Sequence, residues 1–431
     1  MEHLLDVETS ASSAAGVASI LRSPSAWLSK QKLSRSFWIF FTVAFFFDFG
    51  FAVYFFLFNL YLLDLHFNER TIGLVGGALT FGSVIGTLPA GWLARKTGLR
   101  PLMAVCLIAA PLMGVARALA TWEWAQIALA FLAGLAMCIW GVVFLPAVAR
   151  LTSEENRASA FSLIFSVSIG TSALGSAVCG YLPLWLKAAG FAIEAAEVKR
   201  MILIVSCCIA SLALVPLLRL RIPIEQSQTE VQVPHKKQPW KLSPYLLCFI
   251  PSMALWTAAV AAFTPFASVY LAKDLRISMS QIGLTFSASQ LIQLCVGLLT
   301  PLVFRRLGLL NGIVATQVAT ALSLACLAGT HNRGLAVALF LSFSATQWMS
   351  SPGLYNLLMS KVSDEGRSSA AAMTLFSNAL FQSCATAGAG VLLVQLGYPR
   401  VLIGISALAL IAALLFKFLV APTDRRKPLQ V

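Results

Sequence analysis

Charge is what this sequence has least of. Only 11% of its 431 residues are Asp, Glu, Lys or Arg, where a water-soluble domain carries about 25%. That leaves too little polar surface to keep a chain of this length in water. Histidine is scarcer still. His3, His66, His235 and His331 are the only four, and each falls in a tail or a loop between apolar runs. No intramembrane zinc site or histidine acid–base pair can be built from them. The nine cysteines (106, 138, 179, 207, 208, 248, 295, 326 and 384) lie inside apolar segments with no C-x-x-C pair, which reads as small-hydrophobe packing rather than redox or metal chemistry. Also missing are a P-loop lysine motif, zinc-finger spacing and a basic amphipathic helix. The formal charge of +14 is therefore no sign of nucleic acid. The segment up to Lys32 is polar and rich in Ser and Ala, without a charged start, apolar core and cleavage site; it reads as a tail rather than a signal peptide.

What is present is apolar: 58% of residues are hydrophobic and the mean hydropathy is +0.83. The apolar runs are about twenty residues or longer, without the alternation of transmembrane strands, so the spans are helical. They fall at about 37–61, 71–94, 101–121, 124–149, 158–186 and 201–219, then at 244–272, 280–304, 309–329, 334–360, 368–396 and 400–420. The expected fold is an all-α membrane protein of twelve transmembrane helices in two six-helix bundles. Residues 1–36 form an N-terminal tail, 37–219 and 244–420 the bundles, 220–243 a polar linker, and 421–431 a C-terminal tail. Counting alternate loops places 22 of the 31 Lys and Arg on the side of the termini and linker. The positive-inside rule makes that side cytoplasmic.

Internal duplication is the strongest pattern. At a constant offset of 210, Ile72-Gly73-Leu74 matches Ile282-Gly283-Leu284, and Leu88 matches Leu298. The basic turn Arg95-Lys96-Thr97-Gly98-Leu99 returns as Arg305-Arg306-Leu307-Gly308-Leu309. Further on, Ser153-Glu154-Glu155-Asn156-Arg157 matches Ser363-Asp364-Glu365-Gly366-Arg367, and Gly180 matches Gly390. Six crossings return the chain to its starting side, so the halves share a topology and are related by an axis along the membrane normal.

Together these features resemble the major facilitator superfamily of secondary transporters over nearly the whole chain. That family's turn between the second and third spans usually reads Gly-x-Leu-Ala-Asp-Arg-x-Gly-Arg-Arg. Here Gly91, Leu93, Ala94, Gly98 and Arg100 match, Lys96 is a conservative change, and Arg95 stands where the family typically has Asp. The family's Gly-Pro antiporter motif in the fifth span is absent, as is the Arg-initiated motif of the fourth. Both absences weaken a reading as drug/proton antiport.

Asp48 is the one acidic residue deep inside a span. A charge near the midplane costs on the order of 3 kcal/mol on insertion scales, a cost removed when the carboxyl takes up a proton. Asp48 therefore reads as a proton or cation site, or else as a carboxyl bonded to a neighbouring helix. The resemblance implies a cavity lined by spans 1, 4, 7 and 10. The polar and aromatic candidates there are Tyr54, Asn59, Trp140, Trp256, Thr257, Thr264, Gln347 and Trp348, joined by Gln290 and Gln293 on span 8 and Asn378 and Gln382 on span 11. Each can equally be a packing or helix-bonding residue. In the resembling family the cytoplasmic charges form a latch. Here these are Arg95, Lys96, Arg100, Glu154, Glu155 and Arg157, repeated as Arg305, Arg306, Asp364, Glu365 and Arg367, with Gly91, Gly98 and Gly308 shaping the turns. The alternative is that the basic residues only orient the chain. With Arg95 in place of Asp, Glu154 or Glu155 must supply the anion.

The expectation is a secondary active transporter of a small organic solute, proton-coupled, working by alternating access. Aromatic walls tilt it toward efflux of amphipathic compounds, with proton-coupled uptake of a sugar-like or other neutral metabolite as the alternative. A ligand sensor that no longer transports is the competing class. An enzyme is disfavoured for want of an intramembrane nucleophile and base. No cofactor, metal or nucleic acid is expected; the partners are solute, protons and lipid, for a monomer in the plasma or inner membrane.

Overall fold

The computed structural model describes residues 33–190, 195–222, 244–362 and 364–420. Among them all the regular structure is helical, and ten stretches are long and apolar enough to cross a membrane. The long helices are α1 (Arg35–Asp64), α2 (Glu69–Thr97), α3 (Leu99–Leu119), α4 (Glu123–Leu151), α5 (Glu154–Ala188), α6 (Ala195–Ser211), α7 (Pro244–Ala261), α8 (Met279–Leu307), α9 (Leu309–Gly329), α10 (Arg333–Lys361) and α11 (Asp364–Leu415). A short helix, Leu214–Arg219, continues α6. The count differs from the expected twelve because the last two spans run together as α11. Its 52 residues would extend about 78 Å at 1.5 Å per residue, far beyond one bilayer. The run is broken at Gly397 (φ 75, ψ 166), just ahead of Pro399.

Local chemistry sets the ends. The Ser34 hydroxyl accepts the Phe37 N–H to start α1, and the Asn68 side chain accepts that of Thr71 to start α2. A reciprocal capping box between Ser278 and Gln281 starts α8. The duplicated basic turns are built alike: Gly98 (φ 86, ψ 170) and Gly308 (φ 80, ψ 152) each separate two helices. That backbone region is essentially closed to residues with a Cβ, which explains the glycine in both copies.

Within each half the same partners pack: α2 on α4 and α8 on α10, α3 on α4 and α9 on α10. Tyr61 donates its hydroxyl to the Ala118 carbonyl at the end of α3, and Tyr270 donates to Leu327 at the end of α9. These two bonds are equivalent in the two halves, at an offset of 209 rather than 210. The seventh span is less regular than the first. After α7 it passes through a 3₁₀ turn (Thr264–Phe266) and a π turn (Tyr270–Asp274), with Pro265 at the break.

The halves meet along α2 against α11 and α5 against α8. Both crossings are made by glycines that the repeat singled out. A Cβ on Gly73 would lie 2.9 Å from the Gly390 Cα, and one on Gly283 would lie 2.8 Å from the Gly180 Cα. Both lie toward the end of the bundle opposite the basic turns, called here the far end. Around them the Gly77 carbonyl accepts the Ser383 hydroxyl at 2.8 Å, Glu69 pairs with Lys273 at 2.6 Å, and Phe56 packs edge-on against Phe286.

Candidate functional site

The largest set of sequence candidates meets in one cavity of about 340 Å³ within the C-terminal half. α7 contributes Trp256 and Thr257, α10 contributes Gln347 and Trp348, and α11 contributes Asn378 and Gln382. Helical spacing puts them there. Gln347 and Trp348 are adjacent on α10, Ser351 and Tyr355 follow one and two turns on, and Asn378 and Gln382 are one turn apart on α11. Ser351 and Tyr355 also line the cavity. They were missed in the sequence, although stepping three and seven residues on from Trp348 would have found them.

The polar groups of this cavity are only partly used. The Thr257 hydroxyl donates to its own helix, at the Met253 carbonyl. The Gln347 Oε1 and Asn378 Oδ1 oxygens are buried and accept no hydrogen bond. Buried carbonyl oxygens without a donor are rare in folded proteins. Both belong to residues that line the cavity, and a small turn of either amide would offer its oxygen to a ligand that brings O–H or N–H groups. Trp256 is buried, while Trp348 is 43% exposed, so an indole is available at the wall. Among the described residues no Asp, Glu, Lys or Arg lines the cavity.

The other candidates lie elsewhere. Tyr54 is buried in the N-terminal half, where its hydroxyl donates to the Gly114 carbonyl and its ring stacks on Phe58. Asn59 reaches across the halves to donate Nδ2–H to the Pro265 carbonyl at 2.7 Å. It thereby satisfies a carbonyl at the break in the seventh span. Thr264 starts the 3₁₀ turn, with its hydroxyl on Val260. Gln293 donates to Ser344 at 2.8 Å, tying α8 to α10, and Gln290 is half-buried on α8.

Asp48 is the fourteenth residue of the thirty in α1. Its Oδ2 accepts the Ser168 hydroxyl of α5 at 2.8 Å. The carboxyl lines a slot of only about 10 Å³ between α1 and α5, with Phe41, Phe45 and Thr171 among its walls. Trp140 also packs on Phe47, with ring centroids 4.5 Å apart. Such a slot holds a proton or one water at most. Ser168 carried no signal in the sequence beyond being a hydroxyl in an apolar run.

At the basic-turn end Arg95, Lys96, Arg305 and Arg306 are exposed, as is Gly308, while Gly91 and Gly98 are half-buried. The Lys96 ammonium lies over the Trp92 ring at 5.1 Å, and Arg100 donates to the Leu218 carbonyl at 2.8 Å. Arg157 is half-buried and its Nε has no partner. The side chains of Glu154, Glu155, Asp364, Glu365 and Arg367 lie outside the described residues, as do the tails and the linker from residue 223 to 243.

The Major Facilitator Superfamily model matches residues 40–386. No curated protein matches the sequence. Among solved structures, the nucleoside transporter NupG superposes with a TM-score of 0.74 at 17% identity, covering 90% of this chain and 99% of its own. The xylose transporter XylE from E. coli, in an inward open conformation, gives 0.70 at 14% identity, covering 89% and 95%. A bacterial homologue of the human lysosomal transporter Spinster, inward-facing and occupied, gives 0.70 at 13% identity, covering 91% and 97%. At these identities the likeness is one of fold.

Proposed function

Since the chain belongs to the major facilitator superfamily, we propose that it is a proton-coupled secondary transporter of a small neutral solute rich in O–H or N–H donors. Two amide side chains, Gln347 and Asn378, that line an uncharged cavity and whose oxygens accept no hydrogen bond carry this reading. A neutral cavity offers no counter-ion to a charged solute, whose desolvation would go uncompensated. The amide oxygens offer hydrogen bonds that only a polar solute can return. This favours the polar solute over an amphipathic efflux substrate, and the indole of Trp348 suits the flat face of a sugar or nucleobase ring.

Membership in the family and the apolar helices make this a multi-pass membrane protein. Beyond that, we read α11 as two passes, giving twelve in all, with the basic-turn end and both termini in the cytoplasm of a cell whose plasma membrane the protein crosses. The far-end crossings then shut the outer side, and the cavity exchanges solute with the cytoplasm. Asp48 takes the coupling proton in its slot, where Ser168 supports the charged form. The exposed basic turns meet Glu154 or Glu155 when the cytoplasmic side closes.

Purified protein in proteoliposomes tests the reading in two arms. A panel of neutral polyols, pentoses and nucleosides is first screened by thermal shift. A hit that stabilises the wild type should lose most of its shift in Gln347→Leu and Asn378→Leu, since each removes a bond worth a factor of about ten in affinity. Asp48→Asn should keep the shift and lose uptake driven by a pH gradient. If only organic cations or acids bind, the neutral-solute reading falls; if Asp48→Asn retains full proton-driven flux, the proton site is elsewhere.

A further inference from the structure

A second groove lies on the outer wall of the N-terminal half, away from the solute cavity. It runs for about 300 Å³ between the start of α1 and the short helix that ends the sixth span, with Arg35 and Arg219 at its mouth. Below them it is lined by Trp38, Ile39, Thr42 and Val215. Val215 and the neighbouring Leu218 are exposed at 60% and 74%, so this wall faces the acyl chains. Among the described residues neither arginine has an acidic partner.

Two guanidinium groups from two different helices, without an acidic partner among the described residues, stand at the level where an apolar groove reaches the membrane surface. Trp38 sits one turn inside Arg35, the depth at which indoles settle at a headgroup boundary. Each guanidinium can grip a phosphate with parallel N–H bonds, and basic pockets between transmembrane helices suit anionic headgroups. Arg219 is also held in place. Arg100 at the start of α3 donates to the carbonyl of Leu218, the residue before Arg219, which fixes the short helix against the bundle. From Arg35 to Thr42 the groove descends about 10 Å along α1, room for the upper part of an acyl chain.

We infer that this groove binds an anionic phospholipid, its phosphate between Arg35 and Arg219 and its chain against Ile39 and Val215. The C-terminal half offers a contrast. Its comparable outer groove, between α9 and the end of the chain's last helix, carries Lys417 as its one basic residue beside Val314, Val318 and Leu322. A single flexible ammonium there recognises a phosphate less well.

Thermal unfolding of the purified chain in detergent, with phosphatidylglycerol or phosphatidylcholine added at equal concentration, tests the assignment. Phosphatidylglycerol should raise the melting temperature about 3 °C or more above the phosphatidylcholine value. Arg35→Gln/Arg219→Gln should abolish the difference, Arg35→Lys/Arg219→Lys should keep part of it, and Lys417→Gln should keep nearly all. Both arginines are exposed, so melting of the glutamine variant in phosphatidylcholine should match the wild type and certify its fold. Equal stabilisation by both lipids, an unchanged difference in the glutamine variant, or an equal loss in Lys417→Gln would overturn the site. A shift of the same size from soluble glycerol phosphate would show a phosphate site with no part for the lipid chain, and would overturn the inference as well.

Discussion

The two crossings that join the halves are the same contact made twice, yet they are fastened differently. α2 meets α11 through Gly73 and Gly390, and α8 meets α5 through Gly283 and Gly180, with matching approaches in each pair. Around the first crossing stand an ion pair, Glu69–Lys273, and a hydroxyl bond from Ser383 to the Gly77 carbonyl. At the second, the nearby Ser176 hydroxyl turns back to its own helix at Ser172, and no ion pair spans it among the described residues. Duplication set the backbone approach, which tolerates nothing larger than a hydrogen atom. The polar fastening was free to diverge, because a side-chain bond can be gained or lost without moving the helices.

The largest effect should come from the feature the crossings share. Gly390→Leu would drive its Cβ into the Glu69 carbonyl oxygen, and Gly283→Leu would bring its Cβ to 2.5 Å from that of Ser176. Overpacking of this kind costs about 1–3 kcal/mol, enough to move an open–closed equilibrium roughly five- to 150-fold. Spin labels at Trp122 and His331, on far-end loops of opposite halves, should report longer separations in both variants. An effect at one glycine alone would break the equivalence of the crossings.

A middle effect belongs to the first crossing alone. Glu69 is 4% exposed, while the Lys273 side chain is 52% exposed. Removing one partner of a fully buried pair costs about 3–5 kcal/mol, and the solvent at Lys273 cuts this to about 1–2 kcal/mol. Glu69→Gln should therefore lengthen the same label distances less than Gly390→Leu does. Glu69→Lys with Lys273→Glu should restore part of the closure; no recovery in the swap would mean that Glu69 acts through packing alone.

The comparison also marks how far the sequence could be read. The four crossing glycines stood out because their spacing repeats at 210 residues, and the turn glycines because a special backbone conformation recurs with them. Trp256, Thr257, Gln347, Trp348, Asn378 and Gln382 share a cavity because polar residues on the inner faces of three helices of one half converge. Tyr54, Asn59 and Thr264 escaped the same logic. Asn59 is drawn to a carbonyl exposed by the irregular turns around Pro265, and helical periodicity says nothing about where a helix breaks. Gln293 spends its amide on Ser344, a pairing between two helices that spacing along either one does not reveal. The merging of the last two spans has a similar cause: Gly397 and Pro399 mark a break, but not whether a loop separates the pieces.

The smallest effect asks whether the missing bond at the second crossing can be supplied. In the repeat, Ser383 corresponds to Ala173 on α5 and Gly77 to Ser287 on α8. Ala173 is 4% exposed, so a hydroxyl placed there has no water to satisfy it and must find a protein acceptor. If the crossings are true mates, that acceptor is the Ser287 carbonyl, the counterpart of the one Ser383 uses. A satisfied bond of this kind contributes about 0.5–1.5 kcal/mol, whereas an unsatisfied buried hydroxyl costs about 1–3 kcal/mol. Ala173→Ser should therefore tighten far-end closure, and Ser383→Ala loosen it, by similar factors of about two to ten. The double variant should return to the wild-type distance distribution. Should Ala173→Ser open the far end instead, the hydroxyl has found no acceptor. The two crossings would then share their glycine contact without sharing the register of the helices around it.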